Sequence, residues 1–203
     1  MEHARIGLLL AIAVVGLLAF ASYRFSRHDL QVTSQDGLWF NYLSYGFIDV
    51  AALVLARREL RGVFLGRLTT SQVLFQAVVL GGVIAAVTVG VLTLTHFPEG
   101  SYVFQTWWFP WIVLRSIGIT LVLFAWIQTR LLGWVGPLAA ACITAAMFAF
   151  LEYFQHRSSW FVVLAGMGAY ALPFVRWKTG SLGVCAMAII FADFLSVAAL
   201  ARV

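Results

Sequence analysis

Charge is scarce in this sequence: 10% of its 203 residues are Asp, Glu, Lys or Arg, against 63% that are hydrophobic. Soluble domains carry about 25% charged residues. A chain of this size has too little polar surface to face water on all sides, which excludes an ordinary soluble domain. Acids are the scarcest of the charged residues, eight against thirteen Lys and Arg. The resulting formal charge of +5 is still no nucleic-acid signal, because the basic residues stripe no helix face and gather in short segments between apolar runs. Cysteine is limited to Cys142 and Cys185, both inside apolar runs, where they read as small core residues. No internal repeat, low-complexity tract or soluble domain is visible.

What fills the chain instead is long hydrophobic runs. Seven can be drawn, at 6–23, 38–56, 70–95, 110–130, 136–155, 159–175 and 181–201. A bilayer crossing takes about 20 apolar residues as a helix. The expected fold is therefore all-α: a polytopic helical bundle of seven spans, or six, forming one transmembrane domain over residues 1–203. The run at 38–56 is the most polar, with Asn41, Ser44, Tyr45 and Asp49, and 159–175 is the shortest. Ala19-Phe20-Ala21 has the form of a signal cleavage site but continues its apolar run directly, so an uncleaved first helix is expected. Segment 57–68 holds Arg57, Arg58, Arg61 and Arg67, whereas 96–109 holds no Lys or Arg. Basic loops stay in the cytoplasm, which places the N-terminus, Arg130, Arg176 and Lys178 inside. A compact chain of this kind fits a prokaryotic inner membrane. Trp107, Trp108 and Trp111 flank Pro110 and suit the outer headgroup layer, either as an interfacial belt or as a binding platform. Gly82, Ala86 and Gly90 offer small residues at four-residue spacing, expected to serve close helix packing within the bundle.

In the C-terminal part, Gln128-Thr-Arg130-Leu-Leu132 is followed by Gly136-Pro-Leu-Ala-Ala140, then Met147-Phe148-Ala-Phe-Leu-Glu152. Further on come Gly166 to Tyr170 and Arg176 to Leu182 with Lys178-Thr-Gly-Ser-Leu. In these motifs and fillers the stretch from Ala125 to Val203 resembles the CaaX-protease and bacteriocin-processing (CPBP) family of intramembrane metalloproteases. The resemblance implies a CPBP-like helical core over 110–203, with 1–109 supplying further membrane helices. That family carries Glu-Glu-x-x-x-Arg, Phe-x-x-x-His and His-x-x-x-Asn or -Asp. The resemblance matches Arg130, Phe148 and Asp193 to those motifs. It also puts Ala125 and Trp126 at the paired Glu positions, Glu152 at the second-motif His and Ile189 at the third-motif His.

Metal-assisted hydrolysis needs a Lewis acid and a base for water, and an open zinc site usually has three protein ligands. Glu152 and Asp193 offer two carboxylates, Trp126 and Ile189 cannot hold a cation, and residues 110–130 contain no Asp, Glu or His. Neither a metal nor another cofactor is expected, and no confident catalytic residue; Glu152, Asp193 and Arg130 are only the motif-equivalent positions. Glu152 and His156 at i, i+4 read as a solvated pair at a helix end.

Asp49, Arg115, Glu152 and Asp193 are ionisable residues within apolar runs, where a charge costs about 2.5–3.5 kcal/mol or more unless paired or hydrated. Asp193, about a dozen residues into its run, most needs a partner. Arg115 is the natural counter-ion for a carboxylate and also lies one turn from Trp111. The expected function is non-catalytic: a CPBP-like subunit or scaffold, in contact with the lipid bilayer, that binds another integral membrane protein or a lipid-like ligand. Arg115, Trp107, Trp108, Trp111 and Asp49 are the candidate binding residues. The alternatives are a membrane metalloprotease with a rearranged site at Glu152, Asp193 and His156, or a small carrier or channel lined by Asp49, Arg115 and Asp193.

Overall fold

The computed structural model describes residues 64–94, 108–155, 164 and 166–200. Among them every regular element is helical. The first, α1, is Thr70–Leu94. Next come α2 (Trp108–Ile119), a π-helical stretch (Thr120–Ile127) and α3 (Gln128–Val135), which follow one another without a break as a single rod. Then come α4 (Pro137–Gln155), a 3-10 turn (Gly166–Ala171), α5 (Leu172–Thr179) and α6 (Leu182–Leu200). Three of these helices are long and apolar enough to cross a bilayer, over Thr70–Leu94, Ile112–Val135 and Leu182–Ala199, and α4 carries a shorter apolar stretch, Pro137–Leu151.

Local chemistry sets the element ends. Thr69 and Gln72 form a capping box at the start of α1: the Gln72 N–H donates to Thr69 Oγ1 (3.4 Å) and the Thr69 N–H donates to Gln72 Oε1 (2.9 Å). The rod continues past Arg130 to Val135, five residues beyond the apolar run read from sequence, so Arg130 lies within a helix. It ends where Gly136 takes φ 80°, and Pro137 then opens α4, where its missing N–H costs no helical hydrogen bond. Within the run at 159–175, Leu164 is helical and Gly166–Ala171 is a 3-10 turn that leads into α5, so its described residues are not one continuous α-helix.

The rod is the inner element: 78% of its apolar window is buried, against 28% for α1. It is apolar around its circumference, as a helix enclosed by others must be. In contrast, α1 buries one stripe, Val73, Ala77, Gly81, Ile84, Ala85 and Leu92. Its other side exposes Leu74, Phe75, Val78, Val79 and Val83, a surface suited to lipid tails.

α1 packs most closely on α6, and the two run parallel. At one end the Arg67 N–H donates to Thr179 O (3.1 Å) and the Gly183 N–H to Phe64 O (2.9 Å), while Ser181 Oγ donates to the same Phe64 carbonyl (2.7 Å). Gly66 and Gly180 meet there back to back with φ of 62° and 73°, and a side chain on Gly66 would collide with the Gly180 backbone. Farther along, a Cβ on Gly81 would stand 2.7 Å from Phe191 Cβ and 2.9 Å from Ala188 O. Gly81 therefore makes the close approach expected of Gly82, Ala86 and Gly90. A Cβ on Gly82 or Gly90 meets nothing within 4 Å among the described residues, because both lie off the buried stripe. The 3-10 turn meets α1 part-way along, where a Cβ on Gly168 would lie 3.0 Å from Ile84 Cα. From there the rest of the turn and α5 lead to the basic end, where Thr179 meets Arg67.

The close contact at Gly81 gives the first prediction. Gly81→Ala is expected to destabilise the detergent-solubilised protein by about 1–3 kcal/mol through overpacking. Gly82→Ala, with free space and a better helix former, should be neutral or slightly stabilising. Thermal unfolding followed by circular dichroism checks the pair; equal effects would remove the assignment of Gly81 to the α1–α6 contact.

Candidate functional site: a part-buried ion pair beside an apolar core

Arg115 on α2 and Asp193 on α6 meet although 78 residues separate them. Arg115 Nη1 donates to Asp193 Oδ2 at 2.8 Å, a charge-assisted hydrogen bond at salt-bridge distance. Arg115 is 6% exposed at its side chain and Asp193 29%. Each has further interactions besides this one. Next to Arg115, the Ser116 hydroxyl donates to Ile112 O at 2.7 Å, so this polar group too is satisfied inside the rod. The structure thus joins the two charges that the sequence marked as needing partners.

The other sequence-marked positions divide. Asp49 and Trp107 lie outside the described residues. Trp108 and Trp111 belong to α2 and Glu152 to the last turns of α4, but their side chains lie outside the description, as does His156. Arg130, on α3, holds its guanidinium over the Trp126 ring, 5.7 Å from the centroid. The pair is spaced i, i+4 across the junction of the π-helical stretch with α3, and lies within cation–π range. Sequence reading assigned Arg130 to topology and packing, and missed this partner although the spacing was legible.

Ala125, Trp126, Phe148 and Ile189 come together in one apolar core. They are 0%, 5%, 2% and 3% exposed. Phe148 meets Phe124 edge-on at 6.1 Å and Tyr170 edge-on at 5.7 Å, so aromatic rings occupy this region. Ala125 and Trp126 lie in the π-helical stretch, whose wide turn is visible where the Gln128 N–H donates to Leu123 O, five residues back. Such turns are uncommon and frequent near functional sites. Among the described residues no three of His, Cys, Asp and Glu stand close enough to hold a metal ion together.

Sequence reasoning also missed the polar groups beneath this core. Gln128, fully buried, donates from Nε2 to Pro173 O at 2.6 Å and so ties the rod to α5. Its Oε1 has no hydrogen-bond partner, and neither does Arg176 Nε one turn after Pro173. Arg176 is buried, at 8% exposure, and desolvation lowers its pKa from the usual guanidinium value. An unpaired glutamine in a hydrophobic run was the available signal.

Comparison of the chain with known protein families, with characterised proteins and with solved structures finds no match.

The ion pair can be tested by subtraction. Asp193→Asn withdraws this carboxylate from a buried guanidinium and is expected to destabilise the protein by about 3 kcal/mol or more. The double variant Arg115→Met, Asp193→Leu should recover most of that loss, because apolar replacement of both partners avoids an uncompensated charge. Unfolding midpoints of the single and double variants in the same detergent decide it; a double variant no better than the single would mean the charges are not coupled.

Proposed function

We propose that this chain is a non-catalytic, CPBP-like membrane protein that serves as a subunit or scaffold, binding another integral membrane protein or a lipid-like ligand. The observation that carries the reading is the convergence of Ala125, Trp126, Phe148 and Ile189 in one apolar core. The family resemblance would place metal ligands at Ala125, Trp126 and Ile189, and it matches Phe148 to the Phe that opens the second motif, four residues before Glu152. Their meeting supports a shared helical frame, and their side chains supply no lone pair for a cation. The adjacent Arg130, which in such a family would steady the paired carboxylates, stacks instead on the Trp126 that stands in for one of them.

With aromatic rings packed into that region, the proposed contacts are made by the outer apolar surface rather than by an internal cavity. The exposed side of α1, with Phe75 and Val79, provides such a surface within the depth of the bilayer. The Arg115–Asp193 pair serves in this reading to lock α2 against α6, not to process a substrate. We place the chain in a prokaryotic inner membrane with about seven spans and the basic segment around Arg67 in the cytoplasm, on the distribution of Lys and Arg.

Purification in mild detergent, with metal analysis and mass spectrometry of the same sample, tests the proposal. A second integral membrane protein or a lipid-like molecule in fixed ratio is expected, together with no chelator-sensitive peptide cleavage. One tightly held divalent ion per chain with such cleavage, lost in Glu152→Gln, would overturn it in favour of a rearranged protease.

A further inference from the structure

The end of the bundle where α1 and α6 begin is basic in a specific way. Arg67 is tied to Thr179 through the backbone, and Arg176 and Lys178 occupy the last turn of α5. Lys178 is exposed and lies over the Trp177 ring at 4.3 Å, an ordinary surface arrangement. Arg176 differs from it. The residue is 8% exposed, and among the described residues its Nε finds no acceptor. Asp193 is the one carboxylate whose side chain is described, and it is engaged with Arg115 on the rod. Topology alone asks for positive charge on this side of the membrane, but it does not ask for that charge to be buried. Among the described residues no carboxylate is paired with Arg176; a buried guanidinium without an anion is costly, and its planar fork matches a phosphate.

The neighbouring groups narrow the occupant. Polar groups at the start of α6 are already engaged: the Ser181 N–H donates to Thr179 Oγ1, the Val184 N–H to Ser181 Oγ and the Gly183 N–H to Phe64 O. An anion here would therefore be held by side-chain charge. Gln128, which donates to the carbonyl of Pro173 three residues before Arg176, leaves its own Oε1 without a partner. A water at Arg176 would leave the guanidinium charge uncompensated. We propose that Arg176 is the anchor of a binding site for the phosphate of an anionic phospholipid, at the basic end of the bundle and separate from the apolar core. A phospholipid is favoured over a soluble anion because α5 stands at the end of membrane-length helices, at the level where headgroups lie. This assignment does not depend on the chain being non-catalytic.

The test uses the full chain in nanodiscs of phosphatidylcholine with and without phosphatidylglycerol, and native mass spectrometry of lipids retained after detergent transfer. Wild type is expected to retain one phosphatidylglycerol in preference to phosphatidylcholine and to unfold at a higher temperature in its presence. Arg176→Gln should weaken that retention about tenfold, the loss of one charge-assisted contact, while Lys178→Gln, two residues away and equal in charge, retains it. Equal retention of the two lipids by wild type would overturn the site, whether or not Arg176→Gln folds. So would a folded Arg176→Gln with undiminished retention. Stabilisation by inorganic phosphate in phosphatidylcholine discs, matching that by phosphatidylglycerol, would overturn the lipid assignment in favour of a soluble anion.

Discussion

Enclosure of the rod from Ile112 to Leu131 is the constraint on which the other features depend. A helix surrounded by apolar neighbours has no water for its polar side chains, so each must find a partner inside the protein or carry the cost of having none. Arg115 reaches Asp193, the Ser116 hydroxyl turns back to Ile112 O, and Gln128 crosses to Pro173 O. The first of these fixes α2 to α6 and the last fixes α3 to α5. Burial of one element thus sets the placement of two others. Thr120 Oγ1, Gln128 Oε1 and Thr129 Oγ1 are left without hydrogen-bond partners among the described residues, which marks places where that accounting does not close.

The clasp at the basic end works through backbone rather than side chains. Two glycines with left-handed φ let the chain entering α1 lie directly against the chain entering α6, more than a hundred residues later. Three hydrogen bonds then use polar groups that would otherwise face lipid or headgroups. This pinning, continued by Gly81, gives α1 and α6 their shared direction, and leaves the rest of α1 free to present apolar side chains outward.

Much of this was legible in the sequence. Composition alone implied a membrane solvent, and four apolar runs coincide with α1, the rod, α4 and α6 within a few residues. Asp193 was recognised as the acid that most needs a partner and Arg115 as a counter-ion for some carboxylate, because a charge deep in an apolar run has few ways to be tolerated; that the two belong together came from the fold. The Thr69-x-x-Gln72 box, the Gly136-Pro137 break and the i, i+4 pairing of Trp126 with Arg130 were readable by spacing. The π-helical stretch was not, since the seven apolar residues that follow Thr120 carry no period that separates one helical pitch from another. Nor was the role of Gly81 over Gly82, which depends on which face of α1 meets Phe191. Arg176 looked like any loop cation, because hydropathy records the residue's charge and not its burial.

The parallel course of α1 and α6 has a topological consequence. Two neighbours that start from the same side of a membrane must be separated by an odd number of traversals. The rod runs back toward the basic end, as Gln128 beside Pro173 attests, and α4 leaves it again. The chain must therefore come back to the basic end before Leu182, and its last stretch there is the 3-10 turn and the eight-residue α5. The least regular of the described segments in the C-terminal half is what delivers the chain to the point where α6 begins beside α1.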